Sequence, residues 1–184
     1  MASRVLALSV ATAVVAAAAA CGSGTEPNSN IVRFSTPLTV AGEIGASPSG
    51  TTADTKGQFD ATLDTVTGDF NYTVTYTGMS SNVTLGHIHG PFNQGQTSPP
   101  TAGIILNFDP SQQGSPLGTG ATFVKGTLSG SASGSVKLVA ATSISSTVNG
   151  DSLKKLLLAQ KTYANIHTVT NGGGEVRGQI LIVP

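Results

Sequence analysis

His87, His89 and His167 are all the imidazoles the chain possesses. Imidazole is the side chain best suited to hold a transition metal or to move a proton near neutral pH. His87 and His89 stand at i and i+2. In a strand that spacing turns both rings to one face, about 7 Å apart, and sends Ile88 to the other. His167 follows Ile166 in a second apolar segment. If the two segments lie side by side, three imidazoles converge on one patch, and copper or zinc becomes a candidate cofactor. The plainer alternative is structural, with each ring hydrogen-bonding loop backbone and fixing it. The sequence leaves both readings open.

Glu175 and Arg177 share the same i, i+2 spacing. They are candidates to support a histidine from behind, or to pair with each other as a solvated ion pair of small value. The rest of the chain offers little chemistry. It has no Gly-x-Ser-x-Gly elbow, no phosphate loop and no paired-carboxylate motif, so we expect no enzymatic activity. The single cysteine, Cys21, stands near the start. The remainder of the chain therefore forms no internal disulfide and holds no thiolate-ligated metal.

The elements that must position the histidines read as short strands. Leu38, Val40 and Gly42–Ile44 suggest a first strand. Gln58–Asp64 and Asp69–Tyr76 alternate polar and apolar residues around a Thr65–Gly68 turn, a hairpin signal. Val83–Ile88 carries the His-x-His pair. A long loop, Pro91–Pro100, precedes the short apolar strand Gly103–Phe108. Phe123–Leu128 and Ser133–Val139 alternate and should pair. Ser152–Ala159 is the one helical run, with Asp151 as its expected N-cap. Tyr163–His167 and Val176–Val183 end the chain as strands. The pattern predicts an all-β fold, a Greek-key β-sandwich or barrel of about eight strands with one short helix.

The start of the chain reads as an export signal. Arg4 is followed by a mostly apolar stretch, Val5–Ala20, shorter than the roughly 20 apolar residues that span a bilayer. It ends Ala18-Ala19-Ala20-Cys21-Gly22. Small residues directly before a cysteine resemble a lipobox, the site where bacterial lipoproteins are acylated and cut, although Ala18 stands where that pattern prefers Leu. Read without the lipid, the same residues form an ordinary Ala-x-Ala cleavage site. We expect a signal peptide over 1–20, a lipidated Cys21 and flexible tether over 21–30, and a β domain over 31–184. The domain would then sit outside the cytoplasm, anchored to the cell membrane or outer membrane. The net charge is zero and only 10% of residues are charged, which argues against nucleic acid as a partner.

Three segments are similar to the CHRD (chordin) domain family. They are Gly86-His87-Ile88-His89-Gly90-Pro91, the Gly126–Gly130 stretch Gly-Thr-Leu-Ser-Gly, and Tyr163-Ala164-Asn165-Ile166-His167-Thr168 followed by Gly173-Gly174-Glu175-Val176-Arg177-Gly178-Gln179. The resemblance covers roughly Thr36 to Val183. It implies an extracytoplasmic all-β module, with an extracytoplasmic protein as one possible ligand, and no defined activity. His87, His89 and His167 are also similar in arrangement to the copper site of the Cu,Zn superoxide dismutases. The chain departs from that family in having no fourth histidine and no cysteine pair. Taken together, the sequence reads as a cell-envelope lipoprotein with a non-enzymatic binding or structural module. The alternative is a copper- or zinc-binding protein using the three histidines.

Overall fold

A computed structural model describes residues 30–45, 47–112, 116–118 and 120–184. The expected signal peptide, Cys21 and all of the tether but Asn30 lie outside the described residues. No helix among the described residues is long and apolar enough to cross a membrane.

The fold is all-β with one helix, as the alternation predicted. The strands are β1 (Ile31–Thr39), β2 (Lys56–Asp64), β3 (Asp69–Thr77), β4 (Val83–His89), β5 (Ile104–Asn107), β6 (Thr122–Phe123), β7 (Gly130–Lys137), β8 (Tyr163–Thr168), β9 (Val176–Gln179) and β10 (Ile182–Val183). They form one antiparallel ten-stranded sheet in the order β5-β4-β8-β9-β1-β2-β3-β7-β6, with β10 also paired to β1. The sheet curls into a half-barrel. Past β6, Gly126 N–H donates to Val83 O at 2.9 Å and Val83 N–H donates to Thr127 O at 3.0 Å, tying the far end of the sheet back to the start of β4.

The β2–β3 hairpin shows why the alternating segments fold as they do. Asp64 Oδ1 accepts the backbone N–H groups of Val66 and Thr67 at 2.8 and 2.9 Å, an Asx-type turn built from local chemistry. On one face Phe59, Ala61, Leu63, Phe70, Tyr72, Val74 and Tyr76 are buried, and they meet Ile88, Phe108, Ala164, Ile166 and Val176 from the far side of the curl. The β4–β8 contact is close at Gly86. A Cβ there would stand 2.7 Å from the Phe108 ring and 2.8 Å from Ile166 Cδ1, so only glycine fits.

Several boundaries differ from expectation. The first strand lies earlier, and Val40–Gly42 is a 3-10 turn capped by Thr39 Oγ1. The helix, α1, spans Gly150–Leu158, and its N-cap is Asn149, which accepts the Ser152 N–H at 2.9 Å. Asp151 falls inside the first turn and pairs instead with Lys155 at 2.8 Å. Both residues are good caps, and the one whose backbone is extended takes the role.

Candidate functional site

The face of β4 and β8 opposite the core carries the histidines. Ile88, Ala164 and Ile166 point into the core, so alternation turns His87, His89, Tyr163, Asn165 and His167 outward. Pairing places them side by side: His87 lies opposite Asn165, and Asn165 lies opposite Arg177 of β9. Arg177 in turn lies opposite Thr39 at the end of β1. This outer layer is nonetheless closed. His87 is 3%, His89 7% and His167 7% exposed. The β4–β5 loop covers it. Arg177 Nη1 donates to Pro100 O at 2.8 Å, Gln179 Nε2 to Phe92 O at 3.0 Å, and Phe92 N–H to Lys161 O at 2.9 Å.

The three imidazoles do converge, on the loop-covered face of the sheet opposite the core. One ring nitrogen from each lies within 4.8 Å of the others. His89 Nδ1 stands 2.9 Å from Ala102 O and His167 Nδ1 stands 3.0 Å from Gly172 O. A carbonyl only accepts, so both Nδ1 atoms carry the proton and both Nε2 atoms keep their lone pairs. The His167 Nε2 lone pair faces His87 Nδ1 at 3.0 Å, and Asn165 Oδ1 lies 3.1 Å from the same nitrogen. His89 Nε2 is buried with no hydrogen-bond partner. Holding one imidazole nitrogen on a backbone carbonyl so that the other points at a common centre is how metal-ligating histidines are oriented. Three nitrogens bound to one ion at about 2.1 Å stand about 3.4 to 3.6 Å apart, so an ion would draw the widest pair inward by roughly 1.2 Å.

Burial lowers all three histidines. It takes His87 to about 3, aided by the neighbouring His167 and His89. It takes His89 to about 4, against the hydrogen bond to Ala102. His167 is lowered for the same reason, opposed by Gly172. All three are therefore neutral at pH 7, the form that ligates metals.

Glu175 and Arg177 do not form the solvated pair that their spacing allowed. Both are buried, and they have different partners. Glu175 precedes β9, so period-2 alternation does not apply to it. Its carboxylate accepts Ser80 N–H and Ser80 Oγ–H at 2.5 Å, Thr168 Oγ1–H at 2.6 Å and Asn171 Nδ2–H at 2.8 Å. Burial alone would raise this carboxyl, and the hydrogen bonds outweigh it and hold it below the usual range. The effect is to pin the Asn171–Gly174 turn whose Gly172 carbonyl holds His167. Glu175→Ala should cost about 3 kcal/mol by stranding these donors. Urea unfolding measures it, and a loss under about 0.5 kcal/mol, the level of a neutral surface change, would contradict this role.

Arg177 acts through an aromatic ring. Its guanidinium lies 3.4 Å over Tyr163 from the β9 side, and His89 stacks on the same ring at 4.8 Å from the β4 side. Sequence reading missed Asn165 and Tyr163, although both share the parity of His167 and so its face. It also missed Glu43, whose Oε1 is buried without a partner and whose carboxylate sits against Gly174. Burial raises Glu43 to about 7, partly offset by the charge of Arg177.

The motifs around the three histidines thus divide into strand glycines that admit close packing and polar residues that build this one layer. The sequence profile of the CHRD domain matches residues 34–180, a span that contains every one of these residues. Comparison with curated proteins and with solved structures returned no match. With most of its length matched, from Phe34 on β1 to Ile180 just past β9, the chain belongs to the CHRD domain family.

Proposed function

We propose that the chain is a non-enzymatic CHRD module displayed at the cell envelope, outside the cytoplasm, and held to a membrane by lipid on Cys21. Among the described residues, the histidines hydrogen-bond to one another, to Asn165 and to two backbone carbonyls. Among the described residues, the hydrogen bonds of the three imidazoles reach no hydroxyl, thiol or carboxylate for them to activate, which supports binding or scaffolding over catalysis.

A second reading gives the module a ligand. The His89 Nε2 lone pair is buried, unpartnered and aimed into the same space as two other imidazoles. A copper or zinc ion would satisfy it. Titration of Cu²⁺ and Zn²⁺ into the metal-free chain by calorimetry tests this, with a His87→Ala, His89→Ala double variant beside it. We expect binding of about 1 μM or tighter that weakens at least about 100-fold in the variant. Binding that is absent, or equal in both proteins, would leave the histidines as scaffolding for Ala102 and Gly172. The copper-loaded samples, assayed for superoxide dismutation, should show no activity above that of the variant, and activity in the unsubstituted chain alone would overturn the non-enzymatic reading.

A further inference from the structure

Resting on the metal reading above, we infer that the histidine site is built for monovalent copper in preference to zinc or another divalent ion. The three donors are neutral imidazoles, and among the described residues no aspartate, glutamate or cysteine joins the cluster. The side chain next to them, Asn165, offers a neutral amide. An ion seated there keeps its full charge. It also sits under a closed loop, among rings that are 3 to 7% exposed. Removing an ion from water costs roughly the square of its charge, so a divalent ion suffers about four times the penalty of a monovalent one of equal radius.

The surroundings add to that penalty. A guanidinium lies one aromatic ring away from a ligand, because Arg177 and His89 lie on either side of Tyr163. The carboxylates on adjoining segments are directed elsewhere. Glu175 is committed to Ser80, Thr168 and Asn171, and Glu43 leans on Gly174. Zinc prefers four ligands and usually has an anionic one or a polarised water among them. Cuprous ion, with a filled d shell and a single charge, accepts three neutral imidazoles without a fourth donor. The pocket offers what the monovalent ion needs and withholds what the divalent ion needs.

The test uses the full chain carrying Cys21→Ser, which removes the one thiolate that would compete for copper. Cuprous ion is supplied anaerobically as its acetonitrile complex and competed with bathocuproine disulfonate, and Zn²⁺ is titrated by calorimetry. The expected result is one Cu(I) per chain, held at least about 100-fold tighter than Zn²⁺. X-ray absorption should show nitrogen neighbours only. Arg177→Gln should narrow the gap, chiefly by strengthening Zn²⁺. Zinc binding as tight as cuprous binding, or cuprous binding unchanged in His89→Gln and His167→Gln chains that retain the native circular dichroism, would overturn the inference. If Zn²⁺ or Cu²⁺ binds and Cu(I) does not, the choice of ion fails and the metal reading stands. If the folded chain binds none of them, both fail.

Discussion

Acidifying the metal-free chain from pH 6.5 to pH 4.5 will cost it about 3 kcal/mol of stability, a large fraction of what a domain of this size holds. Burial first, and mutual repulsion second, depress His87 to about 3 and His89 to about 4 from an ordinary 6.5. A group whose folded pKa is depressed contributes stability that is present above its unfolded value and lost as the pH falls. In this window the unfolded chain takes up protons that the folded chain refuses. Each such histidine is worth about 1.4 kcal/mol per pH unit once its unfolded form is fully charged, or roughly 2 kcal/mol over the window. Glu43 works in the opposite direction. Its folded value is raised to about 7, so its contribution is present below the ordinary 4.5 and lost as the pH rises through about 7, and acidification returns roughly 2 kcal/mol. His167, also depressed, adds to the loss. Urea unfolding at the two pH values, followed by circular dichroism, reads the difference. His89→Gln should shrink the pH dependence. A stability that stays level or rises on acidification would show that the histidines are not held neutral by burial.

The two readings of the histidines that the sequence left open prove compatible once the ring is considered atom by atom. In His89 and His167 the Nδ1–H does the structural work, on Ala102 O and Gly172 O. That same hydrogen bond leaves Nε2 as the lone pair that faces the cluster. The i, i+2 spacing of His87 and His89 was enough to place them on one face, because side-chain alternation is a local property of a strand. Their meeting with His167 needed the β4–β8 pairing, which the residues themselves do not specify.

The same distinction explains what was missed. The Phe70, Tyr72, Val74, Tyr76 alternation and the Asp64 turn are readable because their physics spans a few residues. Glu175 and Arg177 looked like a surface pair because spacing carries no information about burial. Their partners, Ser80 and Pro100, come from loops far away in sequence. Glu43 lies in a segment read as strand, and its value depends on Gly174 and Arg177 closing over it. The helix cap moved by two residues because Asn149 and Asp151 are equally good caps in isolation; Asn149, extended in backbone, accepts the Ser152 N–H, and Asp151 pairs with Lys155 inside the helix.

Cys21→Ser will remove palmitate labelling completely and release the protein from the membrane fraction. The cysteine follows Ala18-Ala19-Ala20 at the end of an apolar stretch, and it is the only thiol in the chain. Two acyl chains in a diacylglycerol, at about 0.8 kcal/mol per buried CH₂, anchor stably where one chain binds only marginally, so the substitution should shift the partition by orders of magnitude. The fold bears on what the anchor would display. β1 starts at Ile31, ten residues beyond Cys21, so the tether spans at most about 35 Å. The histidine row crosses β1 at Thr39, the opposite end of the strand from the tether, about 26 Å away along the strand at 3.3 Å per residue. A lipid on Cys21 would thus be attached at the end of β1 remote from the row that carries His87, Asn165 and Arg177. Labelling that persists in Cys21→Ser, or a mature N-terminus at any residue other than 21, would sink the lipid anchor. A mature N-terminus at residue 21 without labelling would point to an ordinary export signal, with the same domain released from the membrane.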